Sequence, residues 1–188
     1  MIISISGKPG SGKSTLAKML AQELGYKRYY MGGLRRAMAK KKGMTLQELN
    51  ALGEKEAWTD TEVDEYIKKL GKSEDNFIIE SRTAFRFIPH SLKIFIDVDL
   101  PVGAARVFQD LQKKDNTRNE DRNLNTIDDV LKSHEKRILS DTTRYKKYYS
   151  IDAYDTSNYD FVLDTSNLGI GESFQKLYEF IRSKLDNA

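Results

Sequence analysis

Residues 7–15 read GKPGSGKST, in which glycine, lysine and hydroxyl residues fall at the P-loop spacing, with Gly7 and Gly12 as its two fixed glycines. The run Gly7, Lys8, Pro9, Gly10, Ser11, Gly12, Lys13, Ser14, Thr15 has the types that phosphate binding needs. Glycines let the backbone wrap inward, so that successive N–H groups point at the phosphates of a nucleotide. The start of the following helix adds free N–H groups and a positive dipole end. Lys13 can then reach the outer phosphates, and the Ser14 hydroxyl can ligate magnesium. A Gly-rich turn can match so short a pattern by chance, so context matters. Here an apolar run, 2–6, precedes it, and Leu16, Met19, Leu20 and Leu24 recur behind it at helical spacing until Gly25. Strand, glycine loop and helix predict a nucleotide-phosphate site. The motif alone does not separate a kinase from a hydrolase or a switch.

A phosphoryl donor and an anionic acceptor repel, so transfer between them needs cations, and guanidinium groups bind phosphate bidentately without losing charge. Arg35 and Arg36 lie in a helical stretch, and Arg82 comes two residues after a strand, where ligands of parallel sheets gather. Arg118 and Arg122 fall in the polar run 113–125. Arg137, Asp141 and Arg144 fall within one narrow stripe at about 100° per residue. That stripe is either a solvated, internally paired face or a catalytic one. Glu80 ends the strand of IIESR, where it could hold the water shell of magnesium or polarise an acceptor hydroxyl; the alternative is an ion pair, for instance with Arg82. Asp97, at another strand end, has a simpler use in bonding local backbone. His90 and His134 lack partners at metal or catalytic spacing and read as surface or packing residues.

The elements around these residues alternate. Strands are expected at 2–6, 26–31, 76–80, 92–98 and 160–163. Helical patterning fills 32–70, broken by Gly43 and Gly53, with Thr45 and Glu48 spaced as a capping box. Pro101 suits the start of a helix, and a long helix over 126–148 carries Ile127, Val130, Leu131, Ile138 and Tyr145 on one face. Residues 113–125 have almost no apolar anchor and predict an exposed mobile loop. The pattern is α/β: a five-stranded parallel sheet covered on both faces, a three-layer sandwich.

Composition agrees. The 188 residues suit one domain, and 39% hydrophobic against 31% charged is a normal globular balance. A charge of +3 is too small to argue for nucleic acid, and the absence of cysteine excludes disulfides and thiolate chemistry. No apolar run approaches the roughly 20 residues that span a bilayer, and the first residues lack signal-peptide features. A cytoplasmic protein, monomeric and without a membrane partner, is the expectation.

Three segments resemble one family. The run YMGGLRRAMAKKKGMTLQELN (30–50) is similar to the monophosphate-binding arm of cytidylate kinases of the short, archaeal type. NFIIESR resembles their third strand with its acceptor-binding arginine, and RYKKYYSIDAYDTSNYDFVLDTS (144–166) their stretch after the lid. The resemblance implies a nucleoside monophosphate kinase that moves the γ-phosphate of ATP, with Mg2+, to CMP and dCMP. It implies a P-loop core (1–30, 76–110, 150–188), an arm at 31–72 that clamps the monophosphate, and a lid at 111–145. Carried over, Arg36 and Arg82 hold the CMP phosphate, and Arg137, Asp141 and Arg144 form the closing face, with Lys13, Arg137 and Arg144 catalytic and Asp141 a nucleoside contact. Two departures stand out. The lid lacks an expected arginine pair, having Gln109 and Asp110, which leaves Arg118 and Arg122 as candidates for ATP. Ser81 replaces a glycine, where it could crowd the acceptor phosphate or donate to it. The alternatives are a kinase of this fold acting on AMP, shikimate or dephospho-coenzyme A, and an ATP-hydrolysing switch.

Overall fold

Strands with few polar side chains cannot leave a face in water, and Ile2–Gly7 (β1) and Phe77–Glu80 (β3) are buried along their whole length. The computed structural model describes residues 1–113 and 124–186. With Lys27–Tyr30 (β2), Leu92–Asp97 (β4) and Phe161–Asp164 (β5), these strands form one parallel sheet in the order β2-β3-β1-β4-β5. The fold is the expected α/β sandwich. Side chains alternate across a strand, so two cores result. Ile3, Ile5, Ile78, Ile94 and Ile96 meet helices Lys13–Leu24 (α1) and Ile170–Leu185 (α8). On the other face Ile2, Phe77 and Ile79 meet Val63, Ile67 and Leu70 of a helix at Trp58–Ser73.

The helical stretch after β2 is three helices, Met31–Lys41 (α2), Leu46–Gly53 (α3) and Trp58–Ser73 (α4). Gly43 breaks the first pair with φ 70°, and the Thr45–Glu48 capping box is present on both sides. Gly53 acts by room instead. A Cβ there would lie 2.6 Å from Thr59 Oγ1 and 2.9 Å from Arg144 Cδ. Strand β2 is shorter than expected: it pairs only with β3, and Met31 turns into the second core as α2 begins.

Ala84–Phe87 (α5) follows β3, and Leu100–Leu111 (α6) starts with the proline where it was expected. Ile127–Tyr149 (α7) opens on a second capping box, Thr126 with Asp129. Its buried positions depart from the apolar-face reading. Val130 and Tyr145 are buried, but so are Ser140, Asp141 and Arg144, while Ile127 is 45% exposed. Among the described residues no helix is long and apolar enough to cross a membrane.

Candidate functional site

The chain leaves β1 toward β2 and β3 on one side and later returns to β4 on the other, so the loop after β1 opens where the strand order reverses. A cavity of about 800 Å³ lies there. Its floor is the glycine loop, with Pro9, Gly10, Ser11, Gly12, Lys13, Ser14 and Thr15 in the lining. Gly10 has φ 76°, and a Cβ on it would lie 2.2 Å from the Gly103 carbonyl oxygen, so the loop rests directly on the backbone of α6. No side chain caps the start of α1, which leaves its leading amides to an anion. Lys8 points elsewhere, forming an ion pair with Asp97 at 2.7 Å. Asp97 also accepts from the Val98 amide at 2.7 Å, the local use expected for it.

Lys13 has its amine held down to about 7, first by burial and then by the charges of Arg82, Arg137 and Arg36, against which Glu80 works. All three arginines line the cavity. Side chains expected separately from the arm, the third strand and the long helix therefore converge on the P-loop lysine. Arg36 donates to the Tyr30 hydroxyl at 2.5 Å and to the Gly32 carbonyl at 3.3 Å. The neighbouring Arg35 is buried and holds the arm together through Thr59 O, Asp60 and Asn50.

Glu80 is 2% exposed and accepts from the Ser14 hydroxyl at 2.6 Å, which joins the two expected metal positions in one oxygen pair. Its ion pair is with Arg28, at 2.6 Å, and not with Arg82. The reason is register. Tyr30 pairs with Glu80 across β2 and β3, so Arg28, two residues back, lies diagonal to the carboxylate on the same face.

Arg82 pairs instead with Asp141 at 2.8 Å, and its Nε donates to the Tyr154 hydroxyl at 2.6 Å. Burial pushes the Asp141 carboxyl up, but Arg82, Arg144 and Arg137 outweigh it and hold the group down to about 2. The stripe on α7 is thus no solvated face. Its members nonetheless divide. Arg137 and Asp141 line the cavity, whereas Arg144, expected beside the phosphates, is fully buried and turned to Asp60 and Asp141. Two carboxylates at hydrogen-bond distance engage its terminal nitrogens. Asp64 also reaches the cavity; burial raises its carboxyl to about 6, although it accepts from Tyr149 and, at 2.8 Å, from Thr83.

Ser81 lines the cavity, but its hydroxyl oxygen accepts from the Thr83 amide at 3.1 Å, tightening the turn after β3. Arg118 and Arg122 lie outside the described residues, as does most of the polar run. Gln109 and Asp110 line the cavity with Lys113 and Arg106. Arg106 donates to the Thr165 carbonyl at 2.7 Å, and Thr165 Oγ1 donates to Ser11 O at 3.1 Å, tying the end of β5 to the loop. His134 is buried and lines the cavity, and His90 is exposed.

Sequence reasoning passed over Arg28, Asp60, Asp64, Arg106 and Tyr154. Only Arg28 carried a local signal, through its place on a strand beside the one that ends in Glu80.

Known proteins resemble this arrangement at two levels. The sequence model described as the Cytidylate kinase-like family matches residues 2–167. The cytidylate kinase of Methanococcoides burtonii is 34% identical over 166 residues, covering 88% of each chain. That of Methanothrix thermoacetophila is 37% identical over 165 residues, again 88% of each. In structure, the shikimate kinase of Bacteroides thetaiotaomicron superposes with a TM-score of 0.65 at 16% identity, over 97% of this chain and 98% of that one. The last likeness concerns the fold alone.

Proposed function

The chain belongs to the cytidylate kinase-like family, and from that premise we propose that it transfers the γ-phosphate of ATP to CMP, and to dCMP, giving ADP and the diphosphate. The observation that carries this reading is the convergence of Arg36, Arg82 and Arg137 on Lys13 around one cavity. So many guanidinium groups beside the loop lysine suit a cavity that receives two phosphate-bearing ligands. A switch or hydrolase has no need of this second set of guanidinium groups facing the phosphate loop.

In this reading the triphosphate lies along the amides of the glycine loop and the start of α1, with Lys13 at its outer end. Ser14 Oγ and Glu80, joined at 2.6 Å, offer the hard oxygen donors that Mg2+ prefers. Magnesium, when bound, neutralises charge on the donor phosphates. The arm, 31–72, brings Arg36 to the acceptor phosphate, and Arg82 meets it from the end of β3. An acceptor phosphate oxygen is ionised at neutral pH, so no strong general base is required, and the residues act by positioning and charge neutralisation. Arg137, facing the cavity, approaches the transferring group as the segment 111–145 closes and excludes water. To Arg144 we assign the holding of Asp60 and Asp141.

A panel of CMP, dCMP, UMP, AMP and shikimate in an ADP-release assay tests the proposal. The expected result is rapid turnover with CMP and dCMP, and little ADP release without an acceptor. Preference for AMP or shikimate, or steady hydrolysis that CMP does not stimulate, would overturn it.

A further inference from the structure

Arg82 has a hydrogen-bonding pattern that its expected role does not require. Its Nε donates to the Tyr154 hydroxyl at 2.6 Å and lies 2.8 Å from Asp141 Oδ2, and the same hydroxyl donates to that oxygen at 2.9 Å. The guanidinium carbon lies 5.5 Å from the Tyr154 ring centroid, and Phe95 supports that ring edge-on at 6.5 Å. Among the described residues, no hydrogen bond runs from the terminal nitrogens of Arg82. Left to itself, an arginine beside a carboxylate prefers the bidentate fork, in which those nitrogens are consumed. Asp141 cannot offer that fork here. Its Oδ1 accepts from Arg144, and its Oδ2 is shared with Tyr154.

We propose that Tyr154 is a positioning residue for the acceptor clamp: its hydroxyl seats Arg82 by Nε and blocks bidentate capture by Asp141, leaving both terminal nitrogens for the acceptor phosphate. The hydroxyl is suited to this because it accepts from the arginine and donates to the carboxylate at once. Burial and the Asp141 charge raise its pKa despite Arg82, so the proton stays in place at working pH. A carboxylate at position 154 would add a competing fork, and an apolar residue would release Asp141 Oδ2 to the guanidinium while Arg144 keeps Oδ1.

The inference rests on the reading of Arg82 as an acceptor-phosphate ligand, and the experiment separates the two. Tyr154→Phe keeps the ring under the guanidinium and removes only the oxygen. Equilibrium binding of CMP by calorimetry, steady-state kinetics and thermal unfolding are measured on wild type, Y154F, R82A and the double variant. The expected Y154F result is a rise in the Kd and KM for CMP of about tenfold, the scale of one charge-assisted hydrogen bond. The KM for ATP stays at its wild-type value, which a general packing role would not allow. In the R82A background the second substitution adds nothing. An active wild type whose KM for CMP is unmoved in Y154F overturns the proposal alone, as does a further loss from Y154F on top of R82A. A wild type inert toward CMP overturns the functional reading and takes this inference with it.

Discussion

At the scale of single residues, the site holds its cations at a cost to the native state. The Lys13 amine is lowered from 10.5 to about 7 because burial and the charges of Arg82, Arg137 and Arg36 oppose its proton. An unfolded chain has no such opposition. Between pH about 7 and 10.5 the unfolded state therefore binds a proton that the native state does not, and the native state gains stability as pH rises through that window. Below pH 7 the penalty is present in full. Lys13→Met removes it, so the variant is expected to lose phosphoryl transfer yet unfold at a higher temperature at pH 7. A gain of about 0.5–2 kcal/mol is typical for such a trade. The gain shrinks toward pH 10.5, and a thermal midpoint below that of wild type at pH 7 would contradict the account. Arg82→Ala acts on the acceptor instead. Loss of the proposed phosphate contact is expected to raise the KM for CMP, by about tenfold or more, with the KM for ATP little changed. An unaltered CMP requirement in R82A would remove Arg82 from the clamp.

Elements position these residues, and the contact of greatest consequence is between two backbones. Gly10 of the phosphate loop meets Gly103 of α6, and a Cβ on Gly103 would lie 2.7 Å from the Pro9 carbonyl oxygen. Neither partner is a flexible side chain, so Gly103→Ala must displace the loop or the helix. Overpacking of this kind costs about 1–3 kcal/mol. Because the displaced backbone is the proposed triphosphate cradle, the KM for ATP is expected to rise more than the KM for CMP; steady-state kinetics with each substrate varied decides this, and an equal rise in both argues against a local loop shift. Nothing in the sequence singled out Gly103, which reads as an ordinary helix residue. What the chain did reveal beforehand was local. The loop 7–15 is contiguous, the Thr45–Glu48 box spans one helix turn, and β1 and β3 are short apolar runs. Partnerships were hidden because they join distant positions: Arg28 to Glu80 across 52 residues, Arg82 to Tyr154 across 72, Arg144 to Asp60 across 84. Helical spacing put Arg137, Asp141 and Arg144 on one stripe, but only the packing of α3 and α4 against α7 divides the stripe between cavity and interior.

Across the whole molecule a buried chain of alternating charges joins the arm to the sheet. It runs from Arg35 in α2 to Asp60 in α4, through Arg144 and Asp141 in α7, and ends at Arg82 after β3. Each carboxylate lies between two guanidinium groups, and Arg144 is the link that only this arrangement explains, being fully buried beneath Gly53. Breaking a buried pair by removing one partner costs about 3–5 kcal/mol, because a charge is left uncompensated. In Arg144→Met neither carboxylate is wholly orphaned, since Asp60 keeps Arg35 and Asp141 keeps Arg82. The loss expected in urea unfolding is therefore near the lower end, about 3 kcal/mol. Turnover per folded molecule should fall only as far as the arm loses its seat on α7. Arg137→Met is the counterpart on the same helix. It faces the cavity, so its removal is expected to leave stability within about 1 kcal/mol of wild type while kcat falls about 100-fold, the scale of losing one charge that stabilises the transferring group. The two variants thus exchange symptoms if the roles are reversed. Should R144M unfold like wild type and lose its turnover, the guanidinium must leave Asp60 and Asp141 during the reaction, and the buried chain is then a resting state that opens when both nucleotides bind.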